Sequence, residues 1–277
     1  MIEPRTSRFR GWWRVGLGLA WAAVSGWSWL TRGETLLAGH PAHPVTLAVA
    51  GVVGLILIVL GVRDVRRGST RRRRRWLAVT MALLGGLISV VVLGSLVFLR
   101  PFAATPEAIE AMTGSPEVTV TDSAIRITLQ PSADSDAAPS TGLIFQPGAR
   151  VDPRAYVPLL RDVAAQGYLV VIMKQPFGIG FTALDAPSSV IEDHRDIDRW
   201  ALAGHSLGGV AASSFTGENA ADVDRLLLWA SYPLGSLADT KLQVTSISGW
   251  QRWAFHPAGH RGQPRRPARD GTVCDDR

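Results

Sequence analysis

The chain has 277 residues, 47% of them hydrophobic, a formal net charge of +6 and a single cysteine, Cys274. One thiol excludes an intramolecular disulfide and a cysteine-built metal cluster. A mean hydropathy of +0.14 is too apolar for a purely soluble enzyme, and the excess lies almost entirely before Arg100.

Three apolar stretches account for it: Trp12 to Leu30, Val45 to Val62 and Trp76 to Leu99. Each approaches the roughly 20 residues that span a hydrocarbon layer, so three transmembrane helices are predicted. Arg5, Arg8 and Arg10 before the first stretch also suit a signal peptide. The two later stretches favour an anchor. Arg14 is placed to snorkel, and Trp12, Trp13, Trp27 and Trp29 fall near the ends of the first span as interfacial aromatics do. His40 and His43 sit between the first two spans, and their spacing alone does not define a metal site.

The basic residues concentrate at Arg63, Arg66, Arg67 and Arg71 to Arg75. No aromatic residues interleave with this run, so a nucleic-acid groove is not expected. Short arginine-rich loops stay in the cytoplasm, which puts the chain's start inside and everything after Leu99 outside. Contact with anionic lipid fits that topology.

Beyond Pro101, Phe102 to Pro116 is predicted to be a short linker helix. Val118 to Val120 and Ala124 to Leu129 then read as a hairpin around Thr121, Asp122 and Ser123. Pro131 to Ser140, rich in Ser, Asp, Ala and Pro, is expected as a surface loop. Next come five short apolar runs: Leu143 to Gln146, Leu169 to Lys174, Trp200 to Ala203, Val223 to Ala230 and Leu242 to Ser248. The stretches between them are long enough for crossover helices, which implies a mostly parallel sheet covered on both faces. In the first crossover Asp152 can cap a helix, Pro153 suits its first position and Gly167 its end. Tyr156, Leu159, Leu160, Val163 and Ala164 fall on one helical face and are expected to be core.

The third run leads into Gly204-His205-Ser206-Leu207-Gly208-Gly209. A glycine two before and two after a serine, between a strand and a helix, reads as a nucleophile elbow: the small residues relieve crowding at a sharp turn that exposes the hydroxyl. Together with Phe145 to Arg150 (FQPGAR), Tyr168 to Lys174 (YLVVIMK) and the strand ending in Ala230, Ser231, Tyr232 and Pro233, this stretch resembles the α/β-hydrolase superfamily. The likeness covers roughly Thr141 to Gly249 and is nearest the membrane-tethered, dienelactone-hydrolase-like or lipase-like branch.

The resemblance implies an α/β fold with a mostly parallel sheet and a serine nucleophile, Ser206. It implies backbone N–H donors from Leu207 and Ala149 for the oxyanion, since Pro147 has no N–H to give. An ordinary strand-to-helix turn would explain Gln146 to Arg150 equally well locally. His205 adjoins the serine, but neighbours on a tight elbow point apart, so it is not expected to be the base. His194 should lie at the far end of the strand. Phe177, Phe181 and Trp229 could line an acyl pocket or pack in the core. No cofactor is expected.

In the family the acid follows the strand corresponding to Leu242 to Ser248, and a further strand leads to the histidine. Here the chain continues WQRWAFHPAGHRGQPRRPARDGTVCDDR, without strand periodicity and with the composition of a disordered tail. A one-base shift at the Trp250 codon permits Gly-Asn-Asp-Gly-Leu-Ser-Thr-Pro, and related hydrolases carry a similar Asn-Asp-Gly-Leu stretch after this strand. The aberrant tail is therefore read as a frameshift product, the alternative being a native tail in which His256 or His260 is oriented by Asp270, Asp275 or Asp276.

The expected organisation is a membrane domain at 1–100, a linker at 101–117, a hydrolase domain at 118–249 and the tail at 250–277. The expected protein is a multi-pass cytoplasmic-membrane hydrolase with its catalytic domain on the outer side. It would act on an ester, lactone, thioester or lipid acyl substrate, impaired here for want of an acid and a base. The alternative is a membrane-anchored hydrolase-like domain that binds without catalysis.

Overall fold

A computed structural model describes residues 5–67, 75–132, 138–237 and 240–249. Arg71 to Arg74, the middle of the Pro131 to Ser140 loop and the whole tail after Gly249, with His256, His260, Asp270, Asp275 and Asp276, lie outside the described residues.

Three long helices come first: α1 (Arg5–Ala38), α2 (Ala42–Arg67) and α3 (Arg75–Phe98). Two segments, Ala42–Arg66 and Val79–Phe98, are long and apolar enough to cross a membrane. The segment Trp12 to Leu30 is helical but does not join them. Its tryptophans and Arg14 make it more amphiphilic, and α1 is broken at Arg32 (φ −144°, ψ 16°).

Helices α1 and α2 pack backbone to backbone. A Cβ on Gly18 would lie 2.6 Å from the Gly54 carbonyl oxygen, and one on Gly61 would lie 2.7 Å from that of Gly11. Glycines seven apart in each helix thus face each other in antiparallel register, the close approach that small residues permit. Arg14 does not snorkel alone, because its guanidinium meets Asp64 at 2.6 Å. Trp21 ties α1 to α3 by donating to Ser89 Oγ at 3.0 Å.

The linker helix is shorter than predicted. It runs only over α4 (Pro106–Glu110) and a following 3₁₀ turn, because Pro106 sets the first helical position under the Thr105 cap and Gly114 (φ 78°) ends it. Phe102 is extended and bridges to Val151.

A seven-stranded sheet follows in the order β1-β2-β4-β3-β5-β6-β7. Its strands are β1 (Val118–Asp122), β2 (Arg126–Pro131), β3 (Thr141–Gln146), β4 (Leu169–Met173), β5 (Arg199–His205), β6 (Arg225–Trp229) and β7 (Gln243–Ile247). The predicted hairpin is the antiparallel β1–β2 pair, β2 joins β4 antiparallel, and the pairs from β4 to β7 are parallel. Every residue of β4 is buried, as expected for a parallel strand covered on both faces.

On one face Ile144, Val171, Leu202 and Leu228 pack against α6 (Ala186–Asp193) and α7 (Leu207–Glu218) through Val190, Ala212 and Phe215. On the other Phe145, Val170, Ile172 and Ala203 meet Val157, Leu160 and Ala164 of α5 (Val157–Ala164). Asp152 caps this crossover by accepting from the Arg154 N–H at 3.0 Å, and Gly167 (φ 94°) lies beyond its end. Leu159, expected in the core, is 50% exposed. Residues Pro153–Tyr156 form a 3₁₀ turn, whose three residues per turn shift the phase of the face. β7 is exposed at every position.

Candidate active site

The turn from β5 to α7 is built around one strained residue. Ser206 has φ 52° and ψ −124°, a region that non-glycine residues occupy rarely and chiefly at functional sites. Its hydroxyl-bearing side is exposed. The backbone on either side is fixed: Ser206 N–H donates to the Trp229 carbonyl at 2.9 Å, and the Ser206 carbonyl accepts from Gly209 N–H at 3.0 Å and from Ser231 Oγ at 2.6 Å.

The glycines are required by space. A Cβ on Gly204 would stand 2.5 Å from Gly209 N and still nearer the carbonyl of Gly208, and one on Gly208 would meet the Gln146 and Pro147 carbonyls. The second contact also locates the loop after β3: it lies directly on the first turn of α7. This sets Gln146 and Pro147, three and two residues before Ala149, against Gly208, the residue after Leu207. The Leu207 N–H opens the helix and so has no intrahelical acceptor. The Ala149 N–H donates to no described residue.

Gly148 gives its N–H to Tyr156 Oη at 3.0 Å, and Tyr156 Oη lies 2.9 Å from His205 Nδ1. A tyrosine oxygen already accepting from the backbone has its own proton free for the imidazole; when it gives that proton, Nδ1 is the acceptor and the ring proton sits on Nε2. Burial lowers the His205 pKa below the ordinary histidine value, in keeping with the neutral ring. Burial also raises the Tyr156 pKa, a rise the Gly148 hydrogen bond partly opposes. His205 is thus engaged with Tyr156 and is packed edge-on to Trp229.

Tyr156 was expected to be simple core. It is buried, but its hydroxyl organises the loop over the serine. No sequence signal distinguishes it from the other apolar residues of that crossover. Trp229 packs against Phe145 and Tyr156 as well; Phe177 lies edge-on to His43, and Phe181 is exposed. His194 caps the end of α6 beside Trp200, at the start of β5 and so at the opposite end of the strand from Ser206.

Among the described residues no carboxylate contacts Ser206 or His205, and no group of three or more His, Cys, Asp and Glu is placed to hold a metal. A larger groove, lined by Arg199, Trp200, Arg225 and Lys241, opens at the opposite end of the sheet from the serine.

Residues 142–258 match the family model described as the alpha/beta hydrolase family. This domain belongs to the α/β-hydrolase superfamily. Solved structures similar to the hydrolase domain include a Klebsiella pneumoniae protein provisionally described as a dienelactone hydrolase (TM-score 0.37, 15% identity, 47% of this chain and 70% of that one). Carboxyl esterase 2 from the mycorrhizal fungus Tuber melanosporum is another (TM-score 0.34, 14% identity, 43% of this chain and 47% of that one). A bacterial heroin esterase is a third (TM-score 0.35, 17% identity, 45% of this chain and 48% of that one). The chain therefore spans less than half the length of the two esterases. No curated protein matches it.

Proposed function

We propose that the protein is a membrane-anchored serine hydrolase that cleaves an ester-type substrate through an acyl-enzyme on Ser206. The observation that carries this reading is the exposed serine at φ 52° between β5 and α7, with the β3 loop lying on its helix. Ser206 Oγ would add to the substrate carbonyl while the N–H groups of Leu207 and Ala149 hold the oxyanion. Collapse expels the alcohol or thiol and leaves the acyl group on Oγ, and water then releases the acid. The proton from Oγ needs a base, which is to be sought outside the described residues. Where none is supplied, a triad enzyme retains only about 10³ to 10⁴ over water. We therefore propose an ester, lactone, thioester or lipid acyl substrate and impaired turnover.

Anchoring is supported by the apolar segments of α2 and α3. His43 in the first turn of α2 meets Phe177, and Phe102, four residues beyond the end of α3, bridges to Val151 of the hydrolase domain, so the start of α2 and the end of α3 lie on one side. The arginine-rich segment between α2 and α3 would be cytoplasmic, with the hydrolase domain outside.

Labelling of the full chain in detergent micelles by a fluorophosphonate probe tests the proposal. The expected result is labelling that Ser206→Ala abolishes. Labelling that persists in Ser206→Ala refutes the nucleophile. Absence of labelling favours the non-catalytic binding domain, a reading to which the engagement of His205 with Tyr156 rather than Ser206 contributes.

A further inference from the structure

The loop that carries Ala149 is tied on its outer side to helices that precede the hydrolase domain. Arg150 follows Ala149 and adopts φ 63°, a left-handed conformation that a long side chain keeps only when its surroundings impose it. They do so at every polar backbone group. Its N–H donates to the Gly178 carbonyl at 2.8 Å, and its own carbonyl accepts from Phe102 N–H at 2.7 Å. The side chain runs the other way along the same strip: Nε donates to the Arg100 carbonyl at 3.2 Å. The guanidinium carbon lies 4.8 Å from the ring centre of Phe98, the last residue of α3, and 4.7 Å from that of Phe102.

The anchor point is itself held. The Arg100 guanidinium stacks 3.6 Å above Trp27 and donates to Thr31 Oγ1 at 2.7 Å, both on α1. A second tie runs in parallel, since Arg154 joins buried Asp152 at 2.8 Å to Glu34 of α1 at 2.9 Å, and Asp152 N–H donates to the Phe102 carbonyl at 3.0 Å. Residues 150–154 are therefore gripped from α1 and α3 at once. An oxyanion donor must be held to within about half an ångström; the hydrolase fold holds the inner side of this loop through Gly148 on Tyr156 and Arg150 on Gly178, which leaves its outer side to the preceding helices.

We propose that Arg150 is a positioning residue, a clamp that fastens the loop bearing Ala149 to the end of α3, so that the oxyanion site is complete only while the N-terminal helices are docked on the hydrolase domain. The helices then serve catalysis as well as attachment. The functional half of this inference rests on the reading of Ala149 as an oxyanion donor.

The test uses the full chain in detergent micelles and the variants Arg150→Asn, Arg150→Lys and Phe98→Leu. Asparagine tolerates φ > 0, so Arg150→Asn removes the guanidinium without adding backbone strain. Phe98→Leu weakens the stack without touching the loop. Amide exchange is followed at residues 148–152, with residues 208–218 of α7 as the internal control, together with the rate of fluorophosphonate labelling. In Arg150→Asn, exchange in the loop should quicken at least tenfold with α7 unchanged. The saturating labelling rate should fall at least tenfold at an unchanged half-saturating probe concentration, and Arg150→Lys should recover part of both. Phe98→Leu should shift both in the same direction by a smaller factor. Wild-type protection of the loop in Arg150→Asn overturns the clamp, as does a lysine variant no better than asparagine. If the wild type is not labelled while loop exchange responds as stated, the clamp stands and the serine-hydrolase reading is what fails.

Discussion

Gly204→Ala is the sharpest probe of the elbow. A Cβ at this position would lie 2.5 Å from Gly209 N, against the roughly 3.4 Å of an ordinary contact, and it would crowd the Gly208 carbonyl as well. The shortfall is therefore about 0.9 Å (3.4 − 2.5), and it is against backbone at the first turn of a helix, where no rotamer change can relieve it. Helix α7 would have to move off β5, which loosens Ala212 and Phe215 from the core beneath. Overpacking costs about 1–3 kcal/mol where side chains can adjust, and a purely backbone clash belongs at the top of that range. About 3 kcal/mol corresponds to a fall of roughly 10 °C in Tm for a domain of this size. Thermal unfolding in detergent by near-ultraviolet circular dichroism reads it. The control is Gly217→Ala in the same helix, where the new methyl would sit 3.6 Å from Leu237 Cδ2 and helix propensity favours alanine by up to about 1 kcal/mol. A Gly204→Ala protein melting within about 2 °C of the wild type would refute the steric account of the elbow.

Three further outcomes follow from the same geometry. Arg154→Met should cost about 3–5 kcal/mol in thermal unfolding, because it leaves the fully buried Asp152 carboxylate without its cation. Glu34→Gln should cost under about 1 kcal/mol, because the Glu34 side chain is 71% exposed; equal effects would contradict the assignment. The folded-state pKa of His205 is lowered by burial, so its unfolded form takes up a proton first. The stabilisation is complete above the unfolded value near about 6.5 and is lost as pH falls through that value towards the folded one. Between pH 7.5 and pH 5, Tm should therefore fall further in the wild type than in His205→Gln, and parallel curves would remove His205 from the pH response. Val244 is 42% exposed on β7, the outermost strand of the sheet among the described residues, and an open edge pairs with other chains unless charged; Val244→Lys should reduce self-association in sedimentation at unchanged Tm, and an unaltered oligomer distribution would acquit this edge.

The strands were legible because a parallel sheet leaves a strong trace. Leu169 to Met173 has no room for a polar residue on either face, and Gly204 and Gly208 flank Ser206 at the spacing a sharp turn demands. The parallel character of the sheet and its two-sided packing follow from such runs once crossover lengths are counted, whereas the order of the strands is set by which crossovers fold to which side and was not legible. What escaped depends on contacts between segments far apart in the chain. Leu159 left the core because a 3₁₀ turn preceded its helix, a choice made by Pro153 and Asp152 together rather than by periodicity. Arg14 read as a snorkelling residue because its partner Asp64 is fifty positions away. The glycines at 11, 18, 54 and 61 carry a legible heptad spacing whose meaning needs the antiparallel register of α1 on α2. Tyr156 has the hydrophobicity of a core residue, and only its hydroxyl, invisible to any pattern, ties it to Gly148 and His205.

The loop from Gln146 to Asp152 is where these separate pieces of physics meet. Its inner side is held by Tyr156, which takes the Gly148 N–H, and its outer side by Arg150, which takes the Arg100 carbonyl and the two phenylalanine rings. Between them stands Ala149, with an N–H that no described residue accepts. Ala149 is half-buried, so its N–H stays open to a polar partner that enters between two tightly held neighbours. On the proposed reading that partner is the developing oxyanion on a substrate attached to Ser206. The two grips differ in origin, one from within the hydrolase fold and one from the helices ahead of it. Loss of Tyr156 and loss of Arg150 should accordingly free the same loop by independent routes, and their effects on its amide exchange should multiply rather than saturate.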